Sequence, residues 1–170
     1  MTNIDNQPDL KTISIFRFTL VSIAVFAVTL LHANTDYIPK SIDINQADTT
    51  VFIALPGIGS KLATRIVNYR EKLHGFYSVE QVGEVFGLAD STFQKIKHWL
   101  VINDTVISKI NINTANSDDL KTPYISYNLA NAIYQYRLQH GSFSSLADLK
   151  KIMLVSDAVF NKIVPYLTIG

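Results

Sequence analysis

Cysteine is absent from the 170-residue chain, which excludes disulfide frameworks and thiolate metal sites. Charge is scarce as well. Fifteen Lys and Arg face 14 Asp and Glu, for a formal net charge of +1. A balance so near zero excludes a tight, purely electrostatic grip on nucleic acid, so any such binding must come from local geometry and a few placed cations. Strand-length alternation is missing, which leaves helices as the organising element. Enzyme signals are missing too. His32, His74, His98 and His140 show no metal-ligand spacing, Glu71, Glu80 and Glu84 fall on solvated helix faces, and nothing resembles a nucleophile–base pair. No catalysis, no metal and no cofactor is expected. The length allows one or two small domains.

The first residues differ from the rest. Residues 1–12 form a polar tail, and from Phe18 the stretch "FTLVSIAVFAVTLLHANT" carries no formal charge until Asp36. As a helix rising 1.5 Å per residue it would measure about 27 Å, close to the thickness of a hydrocarbon core. Residues 13–35 therefore read as a transmembrane anchor or a signal segment, with a buried core helix as the third reading. The last is disfavoured because the stretch is apolar all round rather than on one stripe. Lys11 and Arg17 precede it, which places the remainder of the chain outside the cytoplasm, on the periplasmic or cell-surface side. A cleaved signal would instead export that remainder. Residues 36–42 are a linker.

Beyond the linker the chain is one unit written twice. "PGIGSKLATRIVNYR" (56–70) lies over "PYISYNLANAIYQYR" (123–137), and "FQKIKHWLVI" (93–102) over "FNKIVPYLTI" (160–169). "INQA" (44–47) faces "INTA" (112–115), with one residue fewer before the proline of the second copy. The modules are thus 43–102 and 110–170, joined by the short polar linker 103–109. Each is expected to contain about four short helices in two pairs, an all-α fold. Asp48 and Asn116 can cap the first helix of each module. The second helix starts near Ser60, buries Leu62, Ala63, Ile66 and Tyr69, and shows Lys61, Arg65, Asn68 and Lys72 to water. Ser78 and Gln81 carry a capping-box pattern for a third helix. The fourth begins near Asp90 and buries Phe93, Ile96 and Leu100.

A helix–turn–helix joint that closes within about four residues usually needs a positive φ, which glycine accepts at little cost. Gly57 and Gly59 bracket Ile58, whose side chain can plug the space between the helices. The amides around Gly59, Ser60 and Lys61 open a new helix and lack carbonyl partners, and such a positive helix end seats an anion. Without a Cβ at position 59 a phosphate can come close. This seat reads backbone charge rather than base edges. Lys61 and Arg65 complete it. The bland reading of the same residues is a tight turn in a protein-binding module.

These elements, "INQADTTVFIALPGIGSKLATRIVNYREKLHGFYSVEQV" with its "IN-x-A", "LPGIG", "YR" and "GF-x-S", resemble the helix-hairpin-helix repeat of the ComEA-type competence DNA receptors. The likeness covers Asp43 to Ile102 well and Ile110 to Ile169 in degenerate form. It implies two tandem (helix-hairpin-helix)2 modules that bind double-stranded DNA without sequence preference. It also implies a membrane-tethered or exported receptor for DNA uptake, meeting uptake-machinery proteins. The family's hairpin positions fall on Gly57, Ile58, Gly59 and Ser60, followed by Lys61. Its second, weaker hairpin falls on Gly87, Leu88 and Ala89, where only the first glycine is kept.

In the second module Tyr124 and Ser126 replace the glycines, and Tyr127-Asn128 replaces Ser60-Lys61. The fold is expected to survive and the phosphate seat to be lost. Tyr124 and Tyr127 read either as packed rings with outward hydroxyls or as platforms for unpaired bases. Arg70 and Arg137 hold the same place in both copies, which suits pairing with a carboxylate or carbonyls better than contact with DNA. Asp43–Ile102 balances six basic against six acidic residues, and Lys109–Gly170 six against four. Single-site affinity should therefore be weak. The rival reading is an exported adaptor that uses its paired helical modules to hold a protein and binds no DNA.

Overall fold

The computed structural model describes residues 40–103 and 107–170. The polar tail, the apolar segment 13–35, most of the linker 36–42 and residues 104–106 of the second linker lie outside the described residues. Among the described residues no helix is long and apolar enough to cross a membrane. Both modules belong to one compact unit, Pro39–Gly170.

The first module starts with β1 (Ile42–Asp43), then α1 (Thr49–Ile53), α2 (Ser60–Leu73), a 3₁₀ segment Val79–Glu84 and α3 (Asp90–Ile96). A 3₁₀ turn Lys97–Trp99 follows α3, and β2 (Leu100–Val101) closes the module. Asp48 caps α1 as its side chain suggests: Oδ1 accepts from the N–H of Thr50 and of Val51. The apolar spacing of α2 works as read. Ala63 and Ile66 are fully buried, with Leu62 and Tyr69 partly covered, while Lys61, Arg65, Asn68 and Lys72 are exposed.

The second module runs β3 (Ile110–Asn111), α4 (Tyr127–His140), a 3₁₀ segment Leu146–Lys151, α5 (Asp157–Ile163), a 3₁₀ turn Val164–Tyr166 and β4 (Leu167–Thr168).

Three features depart from four helices per module in an all-α fold. The third helix of each module is a 3₁₀ segment, held by a capping box from Ser78 and Gln81 or from Ser145 and Asp148. The first helix of the second module is missing. There the chain is one residue shorter, and Asn116 Oδ1, accepting from Asp118 and Asp119, organises only hydrogen-bonded turns before Thr122. Finally, the start and end of each module pair as parallel strands, Ile42 beside Leu100 and Ile110 beside Leu167. Two residues are too few for a period of two to be visible in a sequence.

The shared motifs prove to be structural. Asn45 bonds both backbone groups of Phe76, accepting from its N–H at 2.7 Å and donating to its carbonyl at 3.0 Å. Asn113 does the same to Phe143. Arg70 Nη1 donates to the carbonyls of Ile44 and Ala47, and Arg137 Nη1 to that of Ile112. Both arginines are therefore committed to the fold through carbonyls.

Candidate nucleic-acid interface

The first hairpin is a β-turn, Leu55-Pro56-Gly57-Ile58, closed by the Ile58 N–H on the Leu55 carbonyl at 3.1 Å. Gly57, third in the turn, has φ +82°. That is the residue a type II turn asks for, with proline before it. A Cβ there would also lie 3.0 Å from Thr92 Cγ2. Ile58 is buried beneath the turn. Gly59 behaves differently. Its φ of −85° and ψ of 171° suit any residue, and a Cβ on it would meet nothing within 4 Å. One glycine makes the turn; the other leaves its outer face open.

No side chain caps α2 at Gly59. The first amide of the helix to find a carbonyl is Ala63, on Gly59 at 3.0 Å. The N–H groups of Gly59, Ser60, Lys61 and Leu62 have no acceptor among the described residues, and Gly59, Ser60 and Lys61 are exposed. Four donors thus stand without acceptors at the positive end of a 14-residue helix, three of them on exposed residues.

The second hairpin repeats the turn and changes the seat. Leu88 N–H bonds the Val85 carbonyl at 3.0 Å, Gly87 has φ +86°, and Leu88 is buried as Ile58 is. Ala89 provides no cap, but Asp90 brings a carboxylate into the first turn of α3, where it repels phosphate. The two hairpins pack on each other. Gly57 lies against Thr92, and a Cβ on Gly87 would collide with Arg65 Nη1. Arg65 donates to the Phe86 carbonyl at 3.2 Å, and its Cζ sits 5.3 Å from the centre of the Phe86 ring. It braces the two hairpins while remaining exposed.

Lys95 is a further cation near the hairpins, and the repeat between modules keeps it over Lys162. It is exposed and stands on α3 where Arg65 stands on α2, six residues past Ala89 and Gly59 respectively. The signal for it is a shorter repeat within the first module, "VFGLADSTFQKI" (85–96) over "LPGIGSKLATRI" (55–66).

In the second module the equivalent places are filled. Ser126 Oγ accepts from the Leu129 N–H, and Ser156 Oγ from the Val159 N–H, both at 3.3 Å. Tyr124 has no positive φ. Its turn is held by Thr122, whose Oγ1 accepts from the N–H groups of Tyr124 and Ile125. Nor does the Tyr124 hydroxyl point outward. It donates to Glu84 Oε2 at 2.7 Å and accepts from Gln81 Nε2 at 2.8 Å, both in the first module. Gln81 Nε2 also donates to the Tyr166 hydroxyl at 2.6 Å. Tyr166, 1% exposed, packs into the first module's hydrophobic cluster. Tyr69 donates to the same Glu84 carboxylate at 3.1 Å. Burial pushes the Tyr69 phenol up to about 12, and raises Tyr124 and Tyr166 as well. Tyr127, by contrast, is exposed.

The model of the helix-hairpin-helix motif matches residues 39–101 and again 106–168. The chain belongs to the helix-hairpin-helix family. It is 27% identical over 146 residues to the endonuclease/exonuclease/phosphatase family domain-containing protein 1 of Xenopus laevis, covering 73% of this chain and 26% of that protein. The human protein of the same name is 26% identical over 154 residues, covering 73% of this chain and 27% of its own length. An uncharacterized protein of Haemophilus influenzae is 35% identical over 65 residues, covering 38% of this chain and 58% of that protein. The chain therefore spans about a quarter of the length of the vertebrate relatives. No solved structure matches.

Proposed function

We propose that this helix-hairpin-helix chain binds double-stranded DNA through phosphate, without sequence preference and without cleaving it. The observation that carries this is the unacceptored run of N–H groups from Gly59 to Leu62, opened outward by Gly59 and followed by Lys61. Arg65 contributes charge beside the seat, and Lys95 beside the second hairpin of Gly87, Leu88 and Ala89. With so few cations, affinity for one site falls on the order of 10⁻⁴–10⁻⁶ M, and several tethered copies would raise it. The apolar segment 13–35 and the ComEA-like motif support a receptor held at, or exported across, a membrane and serving DNA uptake.

Fluorescence anisotropy of the full chain in detergent, with a labelled duplex across a salt series, tests the reading. Binding that weakens with salt at a logarithmic slope of about −2 to −3 is expected from two or three phosphate contacts. Gly59→Val, which the backbone accepts, should abolish it. Binding untouched by Gly59→Val would favour the adaptor, for which the apolar hairpin tip of Met153 (96% exposed) and Leu154 is the supporting observation.

A further inference from the structure

At the tip of the second hairpin Phe86 is 83% exposed. It is second in the turn Val85-Phe86-Gly87-Leu88, the position held by Pro56, Pro123 and Met153 in the other three hairpins. A projecting residue is thus common to the place. A flat aromatic face with a guanidinium beside it is particular to Phe86. Arg65 fixes the tip from the Phe86 carbonyl, and its Cζ stays 5.3 Å from the ring centre. The absence of a Cβ on Gly87 is what lets the guanidinium in. Meanwhile Asp90, in the first turn behind this tip, opposes the phosphate contact that the first hairpin offers.

The second hairpin is therefore poorly built for the backbone of DNA and well built for a base. We infer that Phe86, braced by Arg65, stacks on an unpaired nucleobase, so that the protein prefers duplex DNA interrupted by a short single-stranded gap over continuous duplex. This rests on the DNA-binding reading above. A ring on a turn can stack on any base, since every base has a π-face, and a neighbouring arginine adds cation–π attraction and suits a polyanion. In continuous duplex the same ring must first separate stacked base pairs, at a cost of a few kcal/mol per step. At a gap that cost is absent. The first hairpin holds phosphate while the tip of the second takes the base.

The test uses the full chain in detergent and two labelled DNAs of one sequence, a continuous duplex and one with a one-nucleotide gap opposite 2-aminopurine. The gapped duplex is expected to bind at least about fivefold tighter, the lower end of what one base–aromatic stack contributes. Binding should quench the 2-aminopurine fluorescence. Phe86→Ala should erase both the preference and the quenching and leave continuous-duplex affinity within about twofold. Phe86→Trp should keep both. Equal affinity of the unaltered chain for the two DNAs, a preference that survives Phe86→Ala, or an equal loss on both DNAs would overturn the inference. In each of those cases a continuous-duplex affinity still sensitive to Gly59→Val leaves the phosphate reading standing. No binding to either DNA overturns both and leaves Phe86 to a protein partner.

Discussion

Gln81 Nε2 donates to the hydroxyl of Tyr166 at 2.6 Å, joining residues 85 positions apart across the two modules. The same side chain caps its own 3₁₀ segment, since Oε1 accepts from the N–H groups of Tyr77 and Ser78. With Tyr124 as second acceptor, every hydrogen-bonding group of the amide is used. The counterpart in the other module, Asp148, keeps the cap and pairs with Lys151 but has no N–H to offer. Tyr124 stands where the first module has Gly57, and Tyr166 where it has Trp99. The second copy thus has a clasp on the first where the first has its glycine turn.

Truncating Tyr166 should separate ring from hydroxyl. Tyr166→Ala removes a buried aromatic from the first module's cluster, and chemical denaturation should show a loss of about 3–5 kcal/mol. Tyr166→Phe keeps the ring and removes one acceptor from Gln81, for a loss of about 1–2 kcal/mol. Equal losses would mean that the ring packs less tightly than its burial indicates.

Alkali should loosen the clasp before it unfolds the modules. Burial raises Tyr69 to about 12 and raises Tyr124 and Tyr166 too. The folded state therefore holds these phenolic protons where the unfolded chain has released them. Their contribution is complete below about pH 10, the value of a free phenol, and is lost as pH climbs through the raised values. An ultraviolet titration should show phenols ionising late, and Tyr→Phe at positions 69, 124 and 166 should remove that late component.

How much of this could be read from residues alone depended on distance along the chain. The first hairpin, the buried plug Ile58 and the exposed face of α2 follow from spacing within one or two turns, whereas the second hairpin of Gly87, Leu88 and Ala89 came from the family resemblance. The role of Tyr124 does not, because its partners Gln81 and Glu84 lie about 40 positions away in another module and no local pattern names them. The glycines were legible as a pair but not as individuals. Only backbone angles separate Gly57, which must have its positive φ, from Gly59, which needs none. The paired two-residue strands were illegible for lack of length. The second copy is one residue shorter after Asn116, which is visible between the two copies, but that turns replace the helix there is not.

Gly59→Asp should uncouple stability from binding. The position accepts a side chain without strain, and aspartate at an N-cap bonds the free amides and suits the helix dipole, gaining up to about 1 kcal/mol over glycine. The same carboxylate fills the seat with negative charge. Thermal melting should rise slightly while anisotropy with duplex DNA falls to background. A variant that melts higher and still binds would move the interface away from α2.

The capped hairpin of the second module offers the converse experiment. Ser126 corresponds to Gly59 and Asn128 to Lys61, so Ser126→Gly with Asn128→Lys rebuilds the open seat without touching Tyr124 or its bonds to Gln81 and Glu84. Glycine in place of serine at an N-cap costs only a few tenths of a kcal/mol, so the fold should hold. One more phosphate contact should then steepen the logarithmic salt slope by about one and strengthen duplex binding at low salt. Copying the glycine at the turn instead, as Tyr124→Gly, should lower stability by opening the clasp and add no affinity, because Ser126 would still occupy the amide of Leu129. If the double variant leaves the slope unchanged, the exposed Tyr127 ring beside the seat is what excludes phosphate, and Tyr127→Ser in the same background should restore the missing contact.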